Sequence, residues 1–86
     1  SWLELQLPLI YTYMISKDFH GWTVDDTLKE IDRIIGAVRL KAGCEHAEFI
    51  TGRGVIREQL TYHIREYNLH PETKWGNDGV IVVTIK

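Results

Sequence analysis

Two short apolar stretches, each followed by a polar turn and a helical pattern, are the feature that most constrains the fold of this chain. The first stretch spans residues 15–19 and the second spans residues 46–50. After each turn, apolar residues recur at spacings of three and four, which is the period of an amphipathic helix. Strands joined by a helix in this way are parallel neighbours with a right-handed connection. The predicted buried positions are Val24, Leu28, Ile31, Ile35 and Val38 in the first helix and Ile56, Leu60, Ile64 and Tyr67 in the second.

The remaining signals complete a βαβαββ order. Thr23 is a favourable N-cap for the first helix, and Gly43 is its expected stop. Residues 73–75 are predicted to form a third strand, residues 76–79 a hairpin turn, and residues 80–85 a β-branched fourth strand. The predicted class is α/β, as an α+β two-layer sandwich with two helices on a four-stranded mixed sheet.

The length predicts one small domain preceded by a segment of different character. A chain of 86 residues has the size of a single domain with a thin core. In residues 1–14, leucines alternate with polar residues and with Pro8, so we expect an extended arm or linker there. Residues 15–86 form the predicted domain.

Charge and cysteine content narrow the classes of function. The formal net charge of −2 argues against a broad electrostatic grip on nucleic acid, so any such contact needs a local basic patch. Cys44, expected to be a small buried residue, is the only cysteine, which excludes an internal disulfide and favours a reducing intracellular setting. No apolar run is long enough to cross a bilayer, and no signal-peptide pattern is present. We therefore expect a cytoplasmic protein that has no membrane partner.

Asp18 and His20 lie two residues apart at the end of the first predicted strand. Strand alternation would place both side chains on one face and would turn Phe19 into the core. An imidazole that titrates near neutral pH can transfer a proton, and a neighbouring carboxylate can orient it or accept a proton itself. The same two residues also suit a strand-to-helix turn in which polar side chains satisfy backbone amides. The sequence leaves both interpretations open.

The segment Thr51-Gly52-Arg53-Gly54 follows the second strand and precedes the second helix. Glycines let backbone amides approach an anion closely, and a helix N-terminus adds positive potential. Arg53 can form a bidentate contact with a phosphate. The alternative interpretation is a tight turn with an exposed arginine. Because the carboxyl ends of parallel strands share one edge of a sheet, this segment and the turn at Asp18 and His20 are expected to meet.

Three further residues are candidates for contact with nucleic acid. Lys17 and Arg57 would form a local basic patch with Arg53, or they are ordinary surface charges. Trp22 follows the first motif directly, and it either stacks on a base or caps the core at the start of the helix. No set of His, Cys, Asp and Glu has the spacing of metal ligands. His63, beside the apolar stripe of the second helix, is interpreted as a packed histidine.

At these motifs the sequence resembles the Smr (small MutS-related) domain family. The family's Leu-Asp-x-His-Gly strand end corresponds to residues 17–21, and its Thr-initiated helix corresponds to Thr23, Val24 and Leu28. Its His-Gly-x-Gly or Thr-Gly-x-Gly loop corresponds to residues 51–54, where Thr51 replaces the commoner His. The other departures are Lys17 for the usual Leu and, in the glycine-rich turn at residues 76–79 that precedes the last apolar strand, Asn77 for Gly.

The resemblance covers residues 15–86, and it implies a fold like the C-terminal domain of translation initiation factor three. It also implies an endonuclease that cleaves RNA or nicks DNA, acting in ribosome-associated quality control or in DNA repair and recombination. On this basis Asp18 and His20 are catalytic, with one of them deprotonating the 2′-hydroxyl of RNA. Thr51, Gly52, Arg53 and Gly54 match the loop that lies against the sugar–phosphate backbone.

Two other classes of function remain open at this point. One is a non-catalytic module that docks on nucleic acid or on the ribosome, and the other is a small-phosphate-binding domain, which would need a closed pocket. No cofactor is predicted, and a requirement for a divalent metal such as Mg²⁺ is left open. The expected partners are RNA or DNA and the ribosome, and the isolated domain is expected to be a monomer.

Overall fold

The structure is a computed structural model that describes residues 15–86. The arm predicted for residues 1–14 lies outside the described residues. Two helices and four strands follow one another in the predicted order, which confirms the α+β class. They are β1 (Ile15–Asp18), α1 (Val24–Leu40), β2 (Glu45–Ile50), α2 (Val55–Arg65), β3 (Glu72–Lys74) and β4 (Asn77–Ile85).

The four strands form one mixed sheet in the order β1-β2-β4-β3. β1 and β2 are parallel, as their helical connection predicts, and β4 pairs antiparallel with both β2 and β3. Asp18 lies opposite Ile50, and Ile50 lies opposite Val80, so β1 and β2 end where β4 begins. We call this end of the sheet the carboxyl edge; it comprises residues 18–22, 51–54 and 77–79.

Both helices pack on one face of the sheet. Side chains alternate along β2, so Ala47 and Phe49 are buried beneath the helices, while Glu48 and Ile50 lie on the other face. Phe19 and Phe49 are fully buried with ring centroids 5.9 Å apart, and truncation of such a residue to Ala typically costs about 3–5 kcal/mol. The other members of the buried core are Ile31, Ile34, Ile35, Val38, Leu60, Ile64, Leu69, Ile81, Val83 and Ile85.

The ends of α1 follow from local chemistry. The hydroxyl oxygen of Thr23 accepts a hydrogen bond from the backbone amide of Asp26 at 3.1 Å, which confirms the predicted N-cap. At the other end the amide of Gly43 donates to the carbonyl of Val38 at 3.0 Å. Ala42, with φ of 51°, takes the left-handed position that normally favours glycine. α1 therefore ends at Leu40, three residues before Gly43, and the residue with the left-handed conformation is Ala42 and not the glycine.

The hairpin turn lies earlier than predicted. Lys74 pairs with Asn77, so the turn consists of Trp75 and Gly76 alone, and the four-residue turn predicted here was wrong. Asn77 and the residues after it belong to β4, and the Asn77 side chain also accepts the amide of Gly79 at 3.1 Å. The carbonyl of Gly79 in turn accepts two amides from the loop that follows β2.

Two observations bear on the expectations drawn from composition. Cys44 is exposed in the connection before β2, so the prediction that it is buried was wrong. Within residues 15–86 no helix combines the length and the hydropathy that crossing a membrane requires.

Candidate nucleic-acid interface at the carboxyl edge

A four-residue turn presents His20 at the carboxyl edge. The amide of Trp22 donates to the carbonyl of Phe19 at 3.0 Å and closes the turn. Gly21, with φ of +79°, occupies the third position, where a type II turn requires a positive φ. His20 is therefore at the outer corner and is exposed. The amide of Phe19 donates to the carbonyl of Ile50 at 2.9 Å, which fixes the turn beside the end of β2.

Asp18 contacts the backbone of His20. β1 ends at Asp18, so strand alternation does not extend to His20, and the two side chains are related by the turn. One carboxylate oxygen of Asp18 accepts the amide of His20 at 2.8 Å. Within residues 15–86 the other carboxylate oxygen and the imidazole of His20 make no hydrogen bond. Asp18 thus shapes the turn and leaves the imidazole accessible to a ligand.

The first two backbone amides of the loop after β2 donate hydrogen bonds within the domain. The amides of Thr51 and Gly52 both donate to the carbonyl of Gly79 at 2.9 Å, and the Thr51 hydroxyl lies 3.3 Å from the same oxygen. Gly52 has φ of +73°, a conformation that side chains rarely adopt. These two amides bind β4, so they are not the anion donors that the loop sequence predicted. No hydrogen bond from the backbone amides of residues 53–57 is found among the described residues, as expected at the start of a helix.

Asp78 pairs with the two arginines of the loop and of α2. Its carboxylate lies 2.8 Å from Nε of Arg53 and 3.9 Å from Nη1 of Arg57. Arg57 also donates to the backbone carbonyl of Asp78 at 3.0 Å. The Arg53 and Asp78 side chains are exposed by 77% and 54%, so solvent and salt weaken this pair. An anion at this point must compete with Asp78, whose role the sequence did not reveal.

Lys17 and Trp22 lie on the other side of β1. Side-chain alternation along β1 places Lys17 on the helix face, where its ammonium is 3.8 Å from a carboxylate oxygen of Glu30 and 5.1 Å from the ring centroid of Trp22. The ring of Trp22 packs edge-on against Phe19 with centroids 5.1 Å apart, as a core-capping residue does. The hydrogen bond from Arg33 lowers the pKa of Glu30, with Lys17 adding to it and desolvation opposing it. An open groove of about 560 Å³ follows this side of the turn, between Trp22 and α1.

The carboxyl edge thus brings together some of the residues that the sequence singled out. Asp18 and His20 lie in one turn, Arg53 and Arg57 lie beside the next loop, and the Phe19–Ile50 hydrogen bond joins the two. Lys17 and Trp22 face the α1 side. Each of the three predicted basic residues lies within 4 Å of a carboxylate oxygen, so the edge carries little free positive charge.

A second cluster of polar side chains joins α1 to α2, away from the carboxyl edge. Asp32 accepts hydrogen bonds from the Tyr67 hydroxyl and from Nε2 of His63, the latter at 2.7 Å. Partial burial alone would raise the pKa of Asp32, but the hydrogen bonds from Tyr67 and His63, together with the His63 charge, hold that pKa below its usual value. The bond to Asp32 raises the pKa of the Tyr67 hydroxyl. His63, interpreted from the sequence as a packed histidine, is part of an interhelical network.

The described residues contain no evident metal site. Among residues 15–86, no group of three or more His, Cys, Asp or Glu side chains is arranged so that it could hold a metal ion. Among residues 15–86, the groups at or beside the carboxyl edge are an exposed imidazole, two carboxylates, two guanidinium groups and the backbone amides at the start of α2 that donate no hydrogen bond. This set is suited to proton transfer and to transient binding of a phosphate.

Comparison with known proteins returned no relative: no family model, no curated protein and no solved structure matches this chain.

Proposed function

We propose that this chain is an Smr-like domain, with a fold like the C-terminal domain of translation initiation factor three, that acts as an endonuclease on RNA or nicks DNA. The observation that carries the proposal is the hydrogen bond between Phe19 and Ile50. It sets the turn bearing His20 beside the loop bearing Arg53. A proton-transfer group and a phosphate-binding group are the two parts that phosphodiester cleavage needs.

With RNA, His20 is the general base. Its imidazole takes the proton of the 2′-hydroxyl, the 2′-oxygen attacks phosphorus, and the bond from phosphorus to the 5′-oxygen of the next nucleotide breaks. The 5′-oxygen takes up a proton from water, which leaves a 2′,3′-cyclic phosphate and a 5′-hydroxyl. Asp18 holds the turn through the amide of His20, and its second oxygen is available to the imidazolium that forms.

Charge on the transferring phosphate is balanced at the neighbouring loop. Arg53, once it leaves Asp78, neutralises the pentavalent phosphorane by a bidentate contact. The free amides of residues 53–57 add positive potential from the start of α2. The proposed setting is the cytoplasm, at the ribosome or at damaged or recombining DNA, in keeping with the family resemblance.

A non-catalytic docking module is the second candidate, and one observation favours it. Within residues 15–86, the Asp18 carboxylate accepts the backbone amide of His20 and makes no contact with the imidazole, so its role in the fold is to shape the turn. Such a surface can guide an attached protein to nucleic acid or to the ribosome without cutting. The two candidates differ in whether the His20 imidazole takes part in chemistry.

The test is a cleavage assay on labelled single-stranded RNA and duplex DNA, with and without Mg²⁺. The wild-type chain is compared with His20→Ala, Asp18→Asn and Arg53→Ala. His70→Ala is the matched control, because His70 is exposed in the connection after α2. α2 has 11 residues and starts at the carboxyl edge, so its far end is about 16 Å away.

Cleavage that His20→Ala abolishes and His70→Ala preserves would support the endonuclease. Cleavage that survives in the Asp18→Asn, His20→Ala double variant would overturn the assigned site. Binding that weakens in Arg53→Ala, with no cleavage by any variant, would favour the docking module.

A further inference from the structure

The face of the sheet that is turned away from the helices carries an apolar patch. Directly opposed residues of an antiparallel pair have their side chains on the same face, so Val80 and Val82 on β4 share this face with Ile50 on β2. Both helices pack on the other face, so neither of them covers the patch. We call it the open face, and its residues on the two central strands are His46, Glu48, Ile50, Val80, Val82 and Thr84.

Val80 distinguishes the open face from an ordinary solvent-exposed face. It is only 6% exposed, yet it does not belong to the core beneath the helices. Val82 is half-buried, and Ile50, which lies opposite Val80, is 38% exposed. Aliphatic side chains gain free energy in proportion to the area that is removed from water. A sheet with three of them on the face away from its helices is therefore stabilised by a further layer on that face.

The polar side chains of the open face contact one another. The ammonium of Lys74 on β3 lies 2.7 Å from a carboxylate oxygen of Glu48. Nδ1 of His46 lies 2.8 Å from the hydroxyl oxygen of Thr84. Because the lysine balances the glutamate, the open face presents little net charge to a nucleic acid or to a basic peptide. It suits a partner that is itself apolar and nearly uncharged.

Residues 1–14, which lie outside the described residues, have this chemistry. Leucine stands at positions 3, 5, 7 and 9, and in an extended segment this alternation puts all four leucines on one side. Glu4 is the only Asp, Glu, Lys or Arg among these 14 residues. Pro8 donates no backbone hydrogen bond, which favours packing by side chains over a continuous ladder on an edge strand.

The same segment joins the sheet within reach of the open face. It leads directly into β1 at Ile15, and Ile15 lies opposite Ala47, which lies opposite Val83. Val80 is three residues farther along β4 and two strands across, which is about 10 Å in each direction. An extended segment of 14 residues reaches about 46 Å. Residues 1–14 are thus long enough to cross the open face.

We propose that residues 1–14 pack across the open face of the same molecule, with their leucine side against Ile50, Val80 and Val82. The segment then forms a third layer on the sheet. It also borders Asp18, because Asp18 lies opposite Ile50 at the end of β1. The open face is an internal docking surface in this arrangement, and the proposal does not depend on the proposed endonuclease.

Two measurements on the full chain test the proposal. The first records NOEs between methyl groups in a sample labelled at Leu, Ile and Val. We expect NOEs from the leucines at positions 3, 5, 7 and 9 to the methyl groups of Val80 and Val82. A mixture of labelled and unlabelled chains separates contacts within one molecule from contacts between two.

The second measurement is the rate at which chymotrypsin cleaves after Tyr11. Packing restricts cleavage to the fraction of molecules in which the segment has left the open face. Leu7→Asp should raise this rate by about tenfold or more, because it places a charge where a leucine was buried. Gln6→Asp is the matched control, since it adds the same charge on the other side of an extended segment, and its rate should stay close to that of the wild type.

A third substitution tests the same contact from the sheet. Val82→Thr keeps a β-branched side chain in β4 and places a hydroxyl group on the open face. It should raise the cleavage rate after Tyr11 by about fivefold or more, because the hydroxyl is costly to bury without a partner. Val55→Thr is its control, since Val55 is 63% exposed at the start of α2.

Three results would overturn the proposal. The first is the absence of NOEs between the leucines of residues 1–14 and the open face. The second is a set of such NOEs found only between labelled and unlabelled chains, which would identify the segment of a second copy as the occupant. The third is an equal rise in cleavage in Leu7→Asp and Gln6→Asp, which would show that the leucine side is not the one that packs.

Discussion

The domain contains two pairs of Asp and His side chains, and they are built in opposite ways. At the carboxyl edge, Asp18 accepts the backbone amide of His20 and leaves the imidazole without a hydrogen bond among the described residues. Between the helices, Asp32 accepts the imidazole of His63 directly at 2.7 Å. The same two residue types therefore position an accessible imidazole in one place and tie two helices together in the other.

The difference lies in what each histidine is free to do. His63 is a quarter exposed, its Nε2 faces Asp32, and its Nδ1 is 3.8 Å from Glu66. His20 stands at the corner of a turn with no such partner in residues 15–86. An imidazole whose nitrogens already face carboxylates is a structural element, whereas an unengaged one can meet a substrate. The atom that the carboxylate contacts therefore indicates the role of each histidine better than the spacing of Asp and His in the sequence does.

The prediction with the largest expected effect compares alanine substitutions at the two histidines, one of which should affect cleavage and the other stability. His20→Ala is expected to reduce cleavage by about 10²–10⁴-fold, the usual contribution of a general base, with an unchanged free energy of unfolding. His63→Ala is expected to lower the free energy of unfolding by about 1 kcal/mol, because it removes a partly exposed hydrogen bond between helices. Its cleavage rate per folded molecule should not change. Urea unfolding and the RNA cleavage assay on the same preparations measure both quantities.

Double-mutant cycles extend this comparison to the carboxylates. Asp32→Ala and His63→Ala should be coupled in stability by about 0.5–1 kcal/mol, since their side chains touch. Asp18→Ala and His20→Ala should show a coupling near zero in stability, because the amide that Asp18 accepts remains when His20 becomes Ala. A stability coupling at Asp18 and His20 as large as that at Asp32 and His63 would contradict the distinction drawn between the pairs.

The second prediction concerns the dependence of stability on pH, to which the interhelical network contributes at both ends of the pH range. Because the folded pKa of Asp32 is held below its usual value, its contribution to stability is present above about pH 4 and is lost as the pH falls through the folded value. The pKa of Tyr67 is raised, so its contribution is present below about pH 10 and is lost as the pH rises further. Urea unfolding measured from acidic to alkaline pH gives both losses of stability, which we call the acidic limb and the alkaline limb.

Two substitutions separate those limbs. Asp32→Asn should flatten the acidic limb relative to the wild type, while Tyr67→Phe should remove the alkaline one. Glu30, whose pKa is also lowered, adds a separate acidic component, so the acidic limb in Asp32→Asn should be reduced and not absent. An acidic limb of the same size in Asp32→Asn and in the wild type would show that Asp32 contributes nothing to it.

Local patterns predicted the fold because the forces behind them are local. The Thr23 cap and the parallel pairing of β1 with β2 follow from spacing along the chain, and both are confirmed. The helical stripes are confirmed except at Val24, which does not join the core, and at Tyr67, which packs on the core from beyond the end of α2. The hairpin was misplaced because Asn-Asp-Gly is also a turn sequence. The turn instead falls at Trp75 and Gly76, where Gly76 has a φ of +81°, and the carbonyl of Gly79 accepts two amides of the loop after β2.

The site was less predictable than the fold because its decisive contacts join distant residues. The motifs located His20 and Arg53, and strand topology placed them at one edge. The partnership of Asp78 with Arg53 crosses from β4 to the loop, and that of His63 with Asp32 spans 31 positions. The exposure of rings such as Trp75 was not predicted either, because hydrophobic periodicity identifies buried residues and does not identify apolar residues at the surface.

The prediction with the smallest expected effect concerns whether Asp78 competes with an anion for Arg53 at the carboxyl edge. Asp78 occupies Arg53 in the free protein, so Asp78→Asn should release that guanidinium and lower the Kd for single-stranded RNA by about two- to fivefold at low salt, the worth of an exposed ion pair. The gain should fade at higher salt, because screening weakens the same charges.

Asp25→Asn is the matched control, since it removes one exposed carboxylate from the first turn of α1 and touches neither arginine. Fluorescence anisotropy with a labelled single-stranded RNA measures both variants, each in a protein that also carries His20→Ala so that the probe stays intact. Equal gains would mean that only net charge matters, whereas a gain confined to Asp78→Asn would identify this carboxylate as the competitor that a phosphate must displace.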